Sequence, residues 1–129
     1  KLGSFVCLLH VGWRGLVAGV IESGLTAVTN KPEELLAWVG PGIGRDEFVV
    51  GGEGHQLLTS QLPAHAQAFA SYKDKWQADL GRMIEQRLQW AGVDEIRRSE
   101  SCTATNPAAW FSHRRDGRCG RMASLIWLA

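Results

Sequence analysis

The residues best suited to chemistry lie in two short stretches, "HVGWRG" at 10–15 and "FSHRRDGRCGR" at 111–121. In the first, His10 and Arg14 flank a tight glycine turn. An imidazole ligates a metal or moves a proton near neutral pH, and a guanidinium fork grips phosphate or carboxylate at two points. Two readings follow for this stretch. Either His10 is a metal ligand or general base beside an anion pocket lined by Arg14, or it is a satisfied core histidine with Arg14 at the surface. In the second stretch, Arg114, Arg115, Arg118 and Arg121 crowd around Asp116 and two glycines. Such a loop cradles phosphate or a sugar hydroxyl, or it is a solvated turn ahead of a last strand.

These side chains need a frame. Residues 4–10, "SFVCLLH", are apolar and bounded by Gly3 and Gly12, which predicts a buried strand with Cys7 on one face and His10 on the other. The Cys-x-x-His spacing therefore does not make a ligand pair. His10 would end that strand immediately before a helix, at the edge where open α/β sheets bind ligands and exposed N–H groups favour an anion. Leu16, Val17, Val20, Ile21, Leu25 and Val28 recur at helical spacing, predicting a helix from about Arg14 to Thr29. Gly19 and Gly24 weaken it by roughly 1 kcal/mol each relative to alanine.

Further along, "NKPEE" reads as a turn, and "LLAWVG" (35–40) as a strand ending in the loop "GPGIG" (40–44). That loop lacks the P-loop lysine and the full Rossmann spacing. "EFVVGGE" (47–53) reads as a third strand or short extended piece, and 55–70 as two helical turns split by Pro63. Trp76, Leu80, Met83, Ile84 and Leu88 share one helical face, with Asp74 near its start and Gly92 past its end. "DEIRRSE" holds a short strand, "NPAAWFS" a turn, and "RMASLIWLA" a final strand. Strands and helices interleave, so the expected class is α/β or α+β, a mixed sheet flanked by helices in a single domain over 1–129.

With 129 residues and a net charge of +1, nothing global argues for nucleic acid or an anionic membrane surface, and no window approaches a membrane span. Six tryptophans suggest aromatic anchors in a core or pocket. Cys7, Cys102 and Cys119 are an odd set with no secretory signal ahead of them, which points to a reducing, cytoplasmic setting. Cys102 and Cys119 read as buried or incidental thiols. The chain opens on Lys1 without a methionine, so the natural start is expected upstream.

In combination the motifs say more. "HVGWRGLVAGV", "LLAWVGPGIG", "FVVGGE", "SCTAT" and "FSHRRDGRCGRMASLIWL" occur in an order that closely resembles the bacterial laccase-domain family, over nearly the whole chain. Members were first called polyphenol oxidoreductases and later recognised as purine nucleoside phosphorylases with added adenosine deaminase activity. The resemblance implies a zinc site of two histidines and a cysteine, with His10 as the second histidine. The other two ligands belong to segments upstream of the shared motifs, so the chain looks like the C-terminal half of a longer domain. It also implies purine nucleoside and phosphate as partners; by charge and position, Arg14 and one of Arg114, Arg115 or Arg121 are the candidates to hold the phosphate. Copper, as in the older oxidase label, is the alternative metal. A non-catalytic remnant or binding module is a third reading. Self-association is expected through the apolar face left by a missing half. Two positions depart from the family pattern: Val49 stands where an acidic residue is common, and His113 where a tyrosine is.

Overall fold

The computed structural model describes residues 5–29 and 31–128. Alternation in "LAWV" and "EIRR" lays down two strands, β1 (Leu36–Val39) and β5 (Glu95–Arg98). They pair in parallel, Leu36 opposite Glu95 and Val39 opposite Arg98. Their inward side chains, Val39 and Ile96, join the core, whereas Leu36 and Trp38 stay exposed on the other face. Beyond the strands the pairing continues: the Ser99 N–H donates to the Val39 carbonyl at 2.8 Å, and a bridge joins Gly42 to Cys102.

Parallel neighbours require a long crossover. Here it holds β2 (Val49–Val50), α3 (Gly52–Gln61), β3 (Phe69–Tyr72), β4 (Lys75–Ala78) and α4 (Leu80–Trp90). The three strands form an antiparallel sheet in the order β2-β4-β3. The β3–β4 hairpin turns at Lys73-Asp74, with Lys73 at a left-handed φ of 55°. Asp79 caps α4 by accepting the Arg82 N–H at 2.8 Å, and Gly92, at φ 90°, ends it. Met83 and Leu88 on its inner face join Leu16, Ile21, Leu58 and Val93 in the core, and each such buried side chain contributes roughly 2 kcal/mol.

The long helix expected from Arg14 to Thr29 is two helices, α1 (Trp13–Val17) and α2 (Val20–Val28). Gly19 takes φ 78° between them, a conformation that ends one helix and starts the next. "NKPEE" is realised in a 3-10 turn at Pro32–Glu34; its Asn30 lies outside the described residues. The expected pair of helical turns at 55–70 is present as the end of α3 and a 3-10 segment, Pro63–Ala68.

Three expectations are corrected. Trp76 belongs to β4 and not to the helix, because the alternation of 75–78 pairs with β3 before Asp79 starts α4. Residues 5–10 and 121–128 run without ladder partners, so neither expected terminal strand exists among the described residues; Gly3, Ser4 and Ala129 fall outside them. A strand needs a neighbour to satisfy its backbone, and neither end segment has one here. Finally, the tryptophans are anchors only in part: Trp13 packs against the core and Trp90 lines an open cleft, whereas Trp38 and Trp127 are 66% and 74% exposed. The filled core is mostly aliphatic, with Phe48 its one buried phenyl ring among the described residues.

Candidate functional site at the carboxyl edge of the parallel pair

Because β1 and β5 run the same way, the loops that leave them emerge together. "GPGIG" follows β1 and "SCTAT" follows β5, and open sheets bind ligands at such an edge. The two loops are joined: the Thr103 N–H donates to the Gly42 carbonyl at 2.8 Å, and the Gly44 N–H donates to Cys102 Sγ at 3.1 Å. Burial pushes the Cys102 thiol up. The Gly44, Ala104 and Thr105 N–H groups and the Thr105 hydroxyl outweigh it, holding the thiol below its ordinary value.

The arginine turn docks on the same loops. A single helical turn, α5 (His113–Asp116), starts at Ser112, whose Oγ accepts the Arg115 N–H at 3.4 Å. Arg115 Nη1 donates to the carbonyls of Thr103 and Ala104, each at 3.1 Å, and Nη2 to the Trp110 carbonyl at 3.0 Å. Nε and Nη2 take both oxygens of Asp116 at 2.6 Å. The bonds from Arg115 hold the Asp116 carboxyl below the usual carboxylate range. Arg114 lies with its guanidinium 5.5 Å from the centre of the buried Phe48 ring. His113 Nδ1 donates to the Gly117 carbonyl. Arg121 Nη1 donates to the carbonyls of Cys119 and Gly120, and its other nitrogens make no hydrogen bond among the described residues. A small cleft of about 160 Å³ opens here between Phe111, His113, Cys119 and Arg121.

The fold thus gathers three motifs that are distant in sequence: 40–48, 102–104 and 113–117. His10 and Arg14 stand apart from them in hydrogen bonding and ion pairing among the described residues. Both are exposed in this chain, and Arg14 stacks 4.5 Å over the Trp13 ring at the start of α1. A larger open cleft of about 280 Å³, bounded by Glu22, Leu25 and Trp90, contains none of the candidate metal or phosphate residues. Sequence reasoning missed Cys102, Thr103 and Ala104 as parts of the site. Only the adjacency of both loops to parallel strands would have found them.

Among the described residues no three His, Cys, Asp or Glu side chains gather to hold a metal ion. His10 and Cys7 are both exposed, with no further ligand beside them, so these residues alone do not fit a three-ligand zinc.

A mixed α/β scaffold with glycine-rich and arginine-rich loops meeting at one sheet edge is the class of protein defined here. The family described as "Multi-copper polyphenol oxidoreductase laccase" matches residues 1–129, and the chain belongs to that family. The chain is 42% identical to the purine nucleoside phosphorylase YfiH of Escherichia coli over 128 residues, covering 99% of this chain and 53% of the relative. It is 38% identical to the purine nucleoside phosphorylase PA4543 of Pseudomonas aeruginosa, over 99% of this chain and 54% of that protein. It therefore spans about half the length of these curated relatives. Among solved structures, Neisseria meningitidis NMB0706 superposes with a TM-score of 0.88 at 39% identity, over 92% of this chain and 50% of that one. YlmD from Geobacillus stearothermophilus gives 0.74 at 29% identity, over 84% and 43%. Among the described residues no helix is long and apolar enough to cross a membrane.

Proposed function

We propose that this chain carries the phosphate-binding part of a purine nucleoside phosphorylase, acting on adenosine or inosine. The observation that carries the reading is the 42% identity to a protein of that name across nearly the whole chain. In phosphorolysis a phosphate oxygen bonds to the ribose anomeric carbon as the bond from that carbon to the purine nitrogen breaks. The nitrogen leaves with the electron pair and takes up a proton. The role assigned to this chain is to hold the phosphate: Arg14, Arg114 and Arg121 supply guanidinium donors that neutralise and orient it. Arg115 belongs to the same turn. His10 is proposed as a site residue and as one ligand of a metal whose remaining ligands these residues do not supply. Adenosine deamination and zinc belong to the same reading, as do a cytoplasmic setting, no nucleic-acid or membrane partner, and self-association through exposed residues such as Leu125, Ile126 and Trp127.

The test is a graft. These 129 residues replace the matching part of the Escherichia coli relative, and hypoxanthine release from inosine is followed with and without phosphate. Phosphate-dependent release is expected from the graft and not from the chain alone. A folded graft that releases no hypoxanthine, or releases it without phosphate, refutes the reading. A second reading, a copper-dependent phenol oxidase, is favoured by the family's own description. Metal analysis of the graft separates the two: copper with phenol oxidation would replace the phosphorylase.

A further inference from the structure

We infer that Arg115 is a positioning residue that aims Arg114, and does not itself bind the anion; the anion part of this inference rests on the proposed phosphorylase reading. A guanidinium has five N–H donors and no acceptor. In Arg115 every one is engaged: Nε with Asp116, both Nη1 hydrogens with Thr103 and Ala104, and both Nη2 hydrogens with Trp110 and Asp116. No donor remains for a phosphate oxygen. Its charge is also balanced locally by the Asp116 carboxylate at 2.6 Å. The attraction of this turn for an anion therefore falls to its neighbours.

Arg114 is the neighbour that Arg115 controls. Successive residues of a helical turn point about 100° apart, so holding Arg115 inward directs Arg114 away from it. Arg114 then lies with its guanidinium 5.5 Å from the centre of the Phe48 ring, which is only 4% exposed and part of the core. The anchor points of Arg115 are equally rigid. Thr103 and Ala104 follow Cys102, and that segment is tied to 42–44 at the end of the parallel pair. Arg115 thus links the sheet edge to the orientation of Arg114. Lysine cannot replace it, since one ammonium offers three donors on a flexible stem to acceptors spread around a planar fork.

The experiment uses the 129-residue chain with arginine side chains labelled for NMR, titrated with inorganic phosphate. In the wild type the Arg114 Nε–H resonance should be displaced by the Phe48 ring and move further with phosphate, while the Arg115 Nε–H stays still. In Arg115→Lys the ring displacement of Arg114 should vanish and phosphate affinity should fall about tenfold, with the amide resonances of β1 and β5 unchanged. Asp116→Asn, which keeps the guanidinium and its carbonyl partners, should give the same changes in smaller measure, and it serves if Arg115→Lys does not fold. Retention of both the Arg114 displacement and the phosphate affinity in the variants overturns the inference. So does movement of the Arg115 Nε–H during the titration. Loss of the Arg114 displacement in the variants, in a protein whose wild type ignores phosphate, upholds the positioning and overturns the phosphorylase reading instead.

Discussion

Cys102 Sγ lies 3.1 Å from the Gly44 amide nitrogen, so a thiol accepts an N–H from a loop 58 residues away and fastens the two halves of the sheet edge together. Alkylation by iodoacetamide should report this bond. Against burial, which raises it, the donor N–H groups keep the Cys102 thiol more acidic than usual. Its alkylation should therefore reach half its maximum at a lower pH than that of a thiol in the unfolded chain. A Cβ added at Gly44 would sit 3.1 Å from both Cβ and Sγ of Cys102, so Gly44→Ala should push the thiol from the amide and move that midpoint upward. A midpoint unchanged by the substitution would discount the bond.

His65 should make the fold acid-sensitive. It is fully buried, with Nδ1 donating to the Leu58 carbonyl at 2.8 Å. Burial first, and the charge of Arg87 after it, push its pKa below the ordinary value. Below pH of about 6.5 the unfolded chain takes up a proton that the folded chain refuses, so stability falls as pH drops toward the folded pKa and then levels off. Thermal midpoints from pH 7.5 to 5 should show this fall. His65→Gln should remove most of the slope, although it lowers stability at every pH.

Arg87 is 7% exposed, and its Nε meets Glu22 Oε1 at 2.7 Å, tying α4 to α2. Arg87→Met leaves Glu22 partly buried without its cation and should cost about 2 kcal/mol, between the values of exposed and buried pairs. Urea unfolding would measure it. Glu22→Gln combined with Arg87→Met should cost less than Arg87→Met alone, because no unpaired charge remains.

Gly19→Ala should destabilise the fold by roughly 1–2 kcal/mol, since a Cβ at φ 78° is strained however much room surrounds it. Gly42→Ala is the control: open space surrounds that position, its φ is not left-handed, and its thermal midpoint should barely move.

What the sequence revealed and what it hid divide along the range of the interactions involved. β1, β5 and the core-facing residues of α4 follow from periodicity and flanking glycines, and all are present. The β3–β4 hairpin hid because Trp76, Leu80, Met83 and Leu88 also satisfy a helical spacing; only the Asp79 cap decides where the helix starts. The terminal strands failed because an apolar run proposes a strand but a ladder partner makes one. At the site, the arginines and the glycine loops were legible as residue types. Their assembly was not: Arg115 meets backbone carbonyls, which every residue carries and no pattern marks.

The parallel pairing of β1 with β5 sets an order of folding. Every residue from 40 to 94 intervenes between the partners, so closing them carries a chain-entropy cost that the short β3–β4 hairpin and the α4 turn do not. Refolding monitored by pulsed hydrogen labelling should protect the hairpin amides and α4 early, and the Ser99 amide, bonded to the Val39 carbonyl, late. The edge that gathers the arginine turn is then assembled last, after the rest of the chain has already found its shape.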